Sequence, residues 1–207
     1  MKNDITVLLV DDHALVRMGL SSLIEMSHGM RVVGEAENGL LALEEAQRLH
    51  PDVVIMDLMM PVMDGVLTTE RLHELLPTVK VILLTSFGTS DGIAHALNAG
   101  ASGAVLKNSA ESELITAIRK VVEGGTYVSP AIQQLLQNDP PVPSLTKRQL
   151  EILDALVHGH TSKDIAAMFN LGFDSVNEHI AIIIHKLGAA NRIEAVAIAL
   201  RKHLLKF

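Results

Sequence analysis

The stretch Val53-Val54-Ile55-Met56-Asp57-Leu58-Met59-Met60-Pro61-Val62-Met63-Asp64-Gly65 decides how the first half of this chain folds. Four apolar residues in succession leave no polar face, so a strand there is covered on both sides, as strands of parallel sheets are. The run ends on a carboxylate, and a proline and a glycine then turn the chain. Further short apolar runs occupy residues 5–10, 31–35, 80–84 and 103–106. Between the runs, apolar residues recur at helical spacing: Leu15, Met18, Leu23 and Met26; Leu40, Leu43 and Ala46; Leu114, Ile115, Ile118 and Val121. Strands alternating with amphipathic helices predict an α/β doubly wound domain on a five-stranded parallel sheet.

Composition sets the outer bounds. A chain of 207 residues can bury the core of one sizeable domain and of a small second one. No apolar run approaches the roughly 18 to 20 residues of a membrane span, and Met-Lys-Asn-Asp does not open like a secretory signal. The expectation is a soluble, cytoplasmic protein without membrane contact. Cysteine is absent, which excludes disulfides, thiol catalysis and cysteine-ligated zinc. The ten histidines are scattered and form no HExxH pattern.

The net charge of -7 is unevenly spread. Residues 144–207 carry eight Lys or Arg against six acids, or +2, which leaves -9 on residues 1–143. An acidic front and a mildly basic back suit two domains with different partners. Between them, Pro140, Pro141 and Pro143 remove backbone donors and fix an extended path. The chain therefore divides into a first domain at 1–125, a helical and proline-rich linker at 126–143, and a second domain at 144–207.

In open α/β sheets, ligands collect at the carboxyl ends of the strands, where the strand order reverses. The residues that follow each run are Asp11 and Asp12, then Asp57, then Thr85 and Ser86, then Lys107. One aspartate after a strand usually forms a turn or caps a helix. Three carboxylates, a hydroxyl and an ammonium converging on one edge are more than turn chemistry requires. Acids that close repel one another unless a cation sits between them, and oxygen-only ligands suit a hard ion such as Mg²⁺.

Leu9-Val10-Asp11-Asp12-His13, Met56 through Gly65, Leu84-Thr85-Ser86 and Val105-Leu106-Lys107 together resemble the receiver domain of two-component response regulators, a flavodoxin-like fold. The resemblance spans about residues 4–124. It implies that Asp57 is phosphorylated by a histidine kinase or a small acyl phosphate. It further implies that Asp12, Asp57 and the Met59 carbonyl hold Mg²⁺ with Asp11 assisting, and that Thr85 and Lys107 bind the phosphoryl oxygens. One departure stands out. Position 104, three before the lysine, is Ala104, where such receivers generally carry an aromatic ring that moves with the threonine. Phe87 is the nearest ring that could substitute, so the expected coupling is weaker or runs through other residues.

The second domain opens on Leu145-Thr146-Lys147-Arg148-Gln149, a capping-box pattern with Thr146 as N-cap and Gln149 three residues on. Helices are predicted to Gly159, over 162–169, over 174–187 and over 192–204, with a turn through Asn170-Leu171-Gly172. This is an all-α, four-helix unit of helix-turn-helix type. Glu151-Ile152-Leu153, Ser162-Lys163-Asp164-Ile165-Ala166, Val176, His179, Ile180, Lys186-Leu187-Gly188 and Asn191-Arg192 resemble the LuxR-type output domain of the NarL and FixJ branch of response regulators. The resemblance implies a transcription factor that places its third helix in the major groove of double-stranded DNA. It also implies a homodimer along the last helix, here through Val196 and Leu200.

The departures fall on the third helix. The family's usual lysine is replaced by Asn177 and followed by Glu178, so with Ala181, Ile182, His185 and Lys186 the expected outer face carries one firm positive and one negative charge. The candidate DNA contacts are Lys163, Asn177, Glu178, Ala181, Ile182 and Lys186. Asn177 suits an adenine edge and Ile182 a thymine methyl. Two readings remain open: a phosphorylation-controlled DNA-binding regulator, or a regulator whose third helix binds a protein. An enzyme is not expected, because Met59 stands where a phosphohydrolase would carry its general acid.

Overall fold

In a computed structural model of the chain, which describes residues 4–86, 90–143, 145–202 and 204–205, two compact units form, residues 1–140 and 141–207. The first unit begins β1 (Ile5–Val10), α1 (Ala14–Glu25), β2 (Met30–Ala36), α2 (Gly39–Leu49) and β3 (Val53–Asp57). It continues α3 (Gly65–Leu75), β4 (Lys80–Thr85), α4 (Ser90–Asn98), β5 (Gly103–Leu106), α5 (Glu111–Val122), β6 (Tyr127–Val128) and α6 (Pro130–Asn138). The strands are all parallel in the order β2-β1-β3-β4-β5-β6. The order reverses between β1 and β3, so the crevice lies at the ends that carry Asp11 and Asp57.

Period-two alternation divides the sheet between two cores. Leu8, Val10, Val54, Met56, Val81, Leu83 and Ala104 meet α2, α3, α4 and α6 on one face. Val7, Leu9, Val53, Ile55, Ile82, Leu84 and Val105 meet α1 and α5 on the other. This double covering is why the strands read as unbroken apolar runs.

The structure departs from the sequence reading in three places. The sheet has six strands, not five, because β6 pairs with the outer edge of β5. The segment expected as a helical and proline-rich linker at 126–143 does hold a helix, α6, but it also holds β6, and Ile132 of α6 is fully buried in the first unit's core. Third, α1 turns most of the expected stripe outward: Leu15, Met18 and Met26 are 82%, 66% and 80% exposed, while Ile24 is buried with Leu20 and Leu23 partly so. At 100° per residue, positions 15, 18 and 26 share one face and 20, 23 and 24 the opposite one. Spacing alone did not distinguish the two faces.

The second unit is four helices: α7 (Lys147–Val157), α8 (Ser162–Phe169), α9 (Phe173–Leu187) and α10 (Arg192–Arg201). Thr146 and Thr161 each form a complete capping box, with Gln149 and Asp164 respectively. Asn170 ends α8 in the left-handed conformation, and Gly188 ends α9 the same way. Ile152, Leu153, Ile165, Val176, Ile183 and Ala199 lie at the centre of this unit's own core. The last helix ends at Arg201, three residues short of the predicted end.

Candidate functional site

Four strand ends build the first candidate site. The polar residue follows directly on β1, so Asp11 is 2% exposed, and its backbone N–H donates to Ala36 O at 3.1 Å. Its Oδ1 accepts the His13 N–H at 2.9 Å. Asp57 closes β3 and is 7% exposed. Its Oδ1 accepts the Met59 N–H at a long 3.4 Å. Lys107, just past β5, places its Nζ 2.9 Å from Asp57 Oδ2 and 2.5 Å from Asp11 Oδ2. Thr85 closes β4, is buried, and accepts the Lys107 backbone N–H on its carbonyl at 2.8 Å.

Burial pushes the Asp57 carboxyl above the usual carboxylate range; Lys107 opposes this and the charge of Asp11 adds to it. The Lys107 ammonium is itself held above its ordinary value, because Asp11 and Asp57 together outweigh its own desolvation.

Asp12 stays more exposed and pairs with His13 Nδ1 at 2.7 Å. One ligand atom each from Asp11, Asp12, His13 and Asp57 can be drawn from within 4.8 Å of one another. A hard dication fits this donor set, since three carboxylates offer oxygens within reach of one another and a single ammonium, that of Lys107, pairs with two of them. His13 had not been singled out by the sequence reading, though its position directly after the two acids was the available signal.

The loop after Asp57 is shaped by three residues. Gly65 starts α3 so close to β3 that a Cβ there would sit 2.5 Å from the Asp57 carbonyl. Asp64 caps α3 by accepting the Leu67 N–H at 2.9 Å. Val62 has φ 67°, a left-handed conformation that a β-branched residue adopts only under strain.

The second candidate site is the outer face of α9. Glu178, Ala181 and Ile182 are exposed and Asn177 half-buried. Lys186 is half-buried and donates its Nζ to Gln149 Oε1 of α7 at 3.1 Å. Arg148 pairs with Glu151 at 3.0 Å and stacks over the Phe169 ring at 4.8 Å. Lys163, on the first turn of α8, is exposed. Phe173, the first residue of α9 and 49% exposed, also lies on the surface and was not anticipated.

Residues 7–119 match the response regulator receiver domain family, and residues 143–199 match the luxR family of bacterial regulatory proteins. The chain belongs to the response regulators with a LuxR-type output unit. This regulator is 35% identical to the oxygen regulatory protein NreC of Staphylococcus epidermidis, over 97% of its own length and 99% of the relative's. It is 34% identical to the response regulator protein VraR of the same species, over 98% and 99%. Among solved structures it is similar to ChrA, the response regulator of a heme-sensing two-component system (33% identity, TM-score 0.59, 98% of this chain and 100% of that one). It is also similar to RcsB in a complex with DNA (25% identity, TM-score 0.69, 97% and 99%). Among the described residues, no helix of the regulator is long and apolar enough to cross a membrane.

The regulator's last helix carries a further apolar face. Ala195, Ile198 and Ala199 are buried in the unit's own core and Val196 is half-buried against it, so the expected seam residue Val196 is largely used internally. Leu200, 44% exposed, is joined on the outer face by Ala197 and by Ile193 at 80%. Positions 193, 197 and 200 stand at helical spacing, which the unbroken apolar run of α10 had hidden. Phe87, the expected substitute for an aromatic at 104, lies outside the described residues.

Proposed function

We propose that this response regulator accepts a phosphoryl group on Asp57 from a histidine kinase and in that state binds double-stranded DNA through α9 as a homodimer. The observation that carries the reading is the buried Asp57 carboxylate at the end of β3, 2.9 Å from Lys107 and beside the acids of β1. In the transfer step an Asp57 oxygen forms a bond to phosphorus. The bond from phosphorus to the donor histidine nitrogen breaks, and its electron pair leaves on the imidazole. Lys107 and the Thr85 hydroxyl supply donors for the charge that spreads over the phosphoryl oxygens. Asp11, Asp12, Asp57 and the Met59 carbonyl would hold Mg²⁺, which offsets charge between carboxylates and phosphoryl oxygens when bound. Met59 offers no proton, so the regulator acts as a switch in the cytoplasm, not as a turnover enzyme.

In the output unit, Asn177 is suited to the N6 and N7 of adenine, and Ala181 and Ile182 to the methyl of thymine. Glu178 suits a cytosine amino group. Lys163 is suited to a backbone phosphate, whereas Lys186 is partly engaged by Gln149. The dimer seam we assign to Leu200 with Ile193 and Ala197, and only marginally to Val196.

Incubation of the full chain with acetyl phosphate and Mg²⁺, followed by intact mass and a salt series of DNA binding, tests both halves. The expected result is one acid-stable, base-labile phosphoryl group that Asp57→Asn abolishes, and DNA affinity that rises with it and falls with salt. Phosphorylation without DNA binding at any salt concentration would overturn the second half and leave a protein partner for α9.

A further inference from the structure

Ala104 leaves β5 without the ring expected there, and the structure covers the position with something else. β6 pairs with β5 at two registers, Gly103 with Tyr127 and Ala104 with Val128. The N–H of Ser129 then donates to the Ala104 carbonyl at 2.9 Å, and Ser129 caps α6. Helix α6 thus starts directly from residue 104. Ile132 is fully buried in the cluster that holds Ala104, Ile93 and Ala96, and Leu135 and Leu136 pack against the same cluster. At the far end of α6, Asp139 Oδ2 accepts the Ser90 hydroxyl at 2.7 Å. Ser90 is the fully buried first residue of α4.

We propose that α6 takes the place of the missing aromatic as the reporter of phosphorylation, docked over Ala104 at rest and loosened when Asp57 carries a phosphoryl group. The inference rests on the phosphoacceptor reading of Asp57. Both attachments of α6 lead back to that site. Leu106 shares the side of the sheet that Ala104 occupies, packs on the same cluster, and immediately precedes Lys107. Ser90 lies five residues after Thr85. The ends of β4 and β5 are joined by the bond from the Lys107 N–H to the Thr85 carbonyl, so groups drawn toward the phosphoryl oxygens carry both strand ends together. Leu106 and the start of α4 then shift under a helix whose attachments include the buried Ile132, the half-buried Leu135 and Leu136, and the bond between Ser90 and Asp139. Because α6 runs straight into Pro140, its release changes the freedom of the tether at residues 140–143 that leads to the output unit.

Hydrogen exchange on the full chain, with and without Mg²⁺ and beryllofluoride, tests this, with loading checked by the bound fluorine resonance. The expected result is that amides of residues 132–139 exchange about tenfold faster on loading, while those of β1 and β3 keep their protection. Ser90→Ala should produce part of that increase without loading. Ala104→Tyr, which forces a ring into the fully buried cluster that holds Ile132, should produce most of it. A bound fluorine signal with unchanged exchange in α6 would overturn the proposal and leave the phosphoacceptor reading intact. Absence of the bound signal would remove both. Wild-type exchange in α6 of both variants would equally overturn the docking over Ala104.

Discussion

The pocket at the ends of β1, β3 and β5 and the outer face of α9 handle charge in opposite ways. In the pocket, Asp11 and Asp57 are packed away from water and each lies within ion-pair distance of Lys107, and the net effect of burial and these neighbours is a raised pKa for both Asp57 and Lys107. On α9, Asn177, Glu178, Ala181 and Ile182 face outward, and the nearest lysine on that helix is turned to Gln149. A buried charge is tolerated only with its partners in place, so one substitution disturbs several contacts. An exposed face can exchange lysine for asparagine with little effect on folding. The difference accounts for where change is tolerated: Asn177 and Glu178 stand on an outer helix face, and Ala104 needs a replacement packed against it, whereas Asp11, Asp57 and Lys107 depend on one another.

Lys107→Ala would break this comparison most severely. It removes the cation that pairs with both buried acids, and the phosphorylation rate with acetyl phosphate should fall by about 10² to 10³, read as phosphoprotein formed per unit time. Asn177→Lys works from the other side. By adding a phosphate contact it should raise DNA affinity about tenfold and steepen the slope of log affinity against log salt by about one unit. An unchanged slope would mean that residue 177 faces no phosphate.

The third expectation concerns stability. Since the folded Asp57 carboxyl lies above its unfolded value, the folded chain binds this proton more readily, and the ionised form costs stability at neutral pH. Asp57→Asn should therefore stabilise the receiver unit by about 1 kcal/mol at pH 7 in denaturant unfolding. The gain should shrink as pH falls through the raised value and vanish below the ordinary aspartate value. Lys107 behaves in the opposite direction: its contribution is complete below the ordinary lysine value and is lost as pH rises through the raised one. The smallest expected effect is that of Val62→Gly, which relieves a left-handed β-branched residue at the cost of unfolded-state entropy. A net gain of about 0.5 kcal/mol is expected, and a loss would show that contacts of the valine outweigh its backbone strain.

The sheet was legible because its strands are covered on both faces, which turns burial into unbroken apolar runs such as 53–56. Asp11, Asp57, Thr85 and Lys107 were legible for a related reason, as polar groups standing where those runs stop. The sixth strand was hidden because two residues, Tyr127 and Val128, make no periodic pattern. A helix was expected within 126–143, but its attachment to the first unit was masked by the prolines after it, although Ser129-Pro130 is an N-cap followed by proline at the first turn, and Ile132, Leu135 and Leu136 stand at helical spacing. The outward stripe of α1 and the outer apolar face of α10 share another cause. Both helices are apolar on two faces, and periodicity does not say which face the core takes.

The pairing of β6 with β5 also bears on self-association. Parallel sheets end in open backbone at their outer strands, and an apolar outer strand invites another chain to extend the ladder. Here two residues occupy the outer edge of Gly103–Leu106, and the helix that follows them covers the same margin. A receiver cut at residue 125 would strip that margin bare, exposing the backbone of β5 and the cluster under Ile132. It should clump at concentrations where one ending at 140 stays dispersed, so β6 and α6 guard the edge of the sheet as well as lying beside the switch.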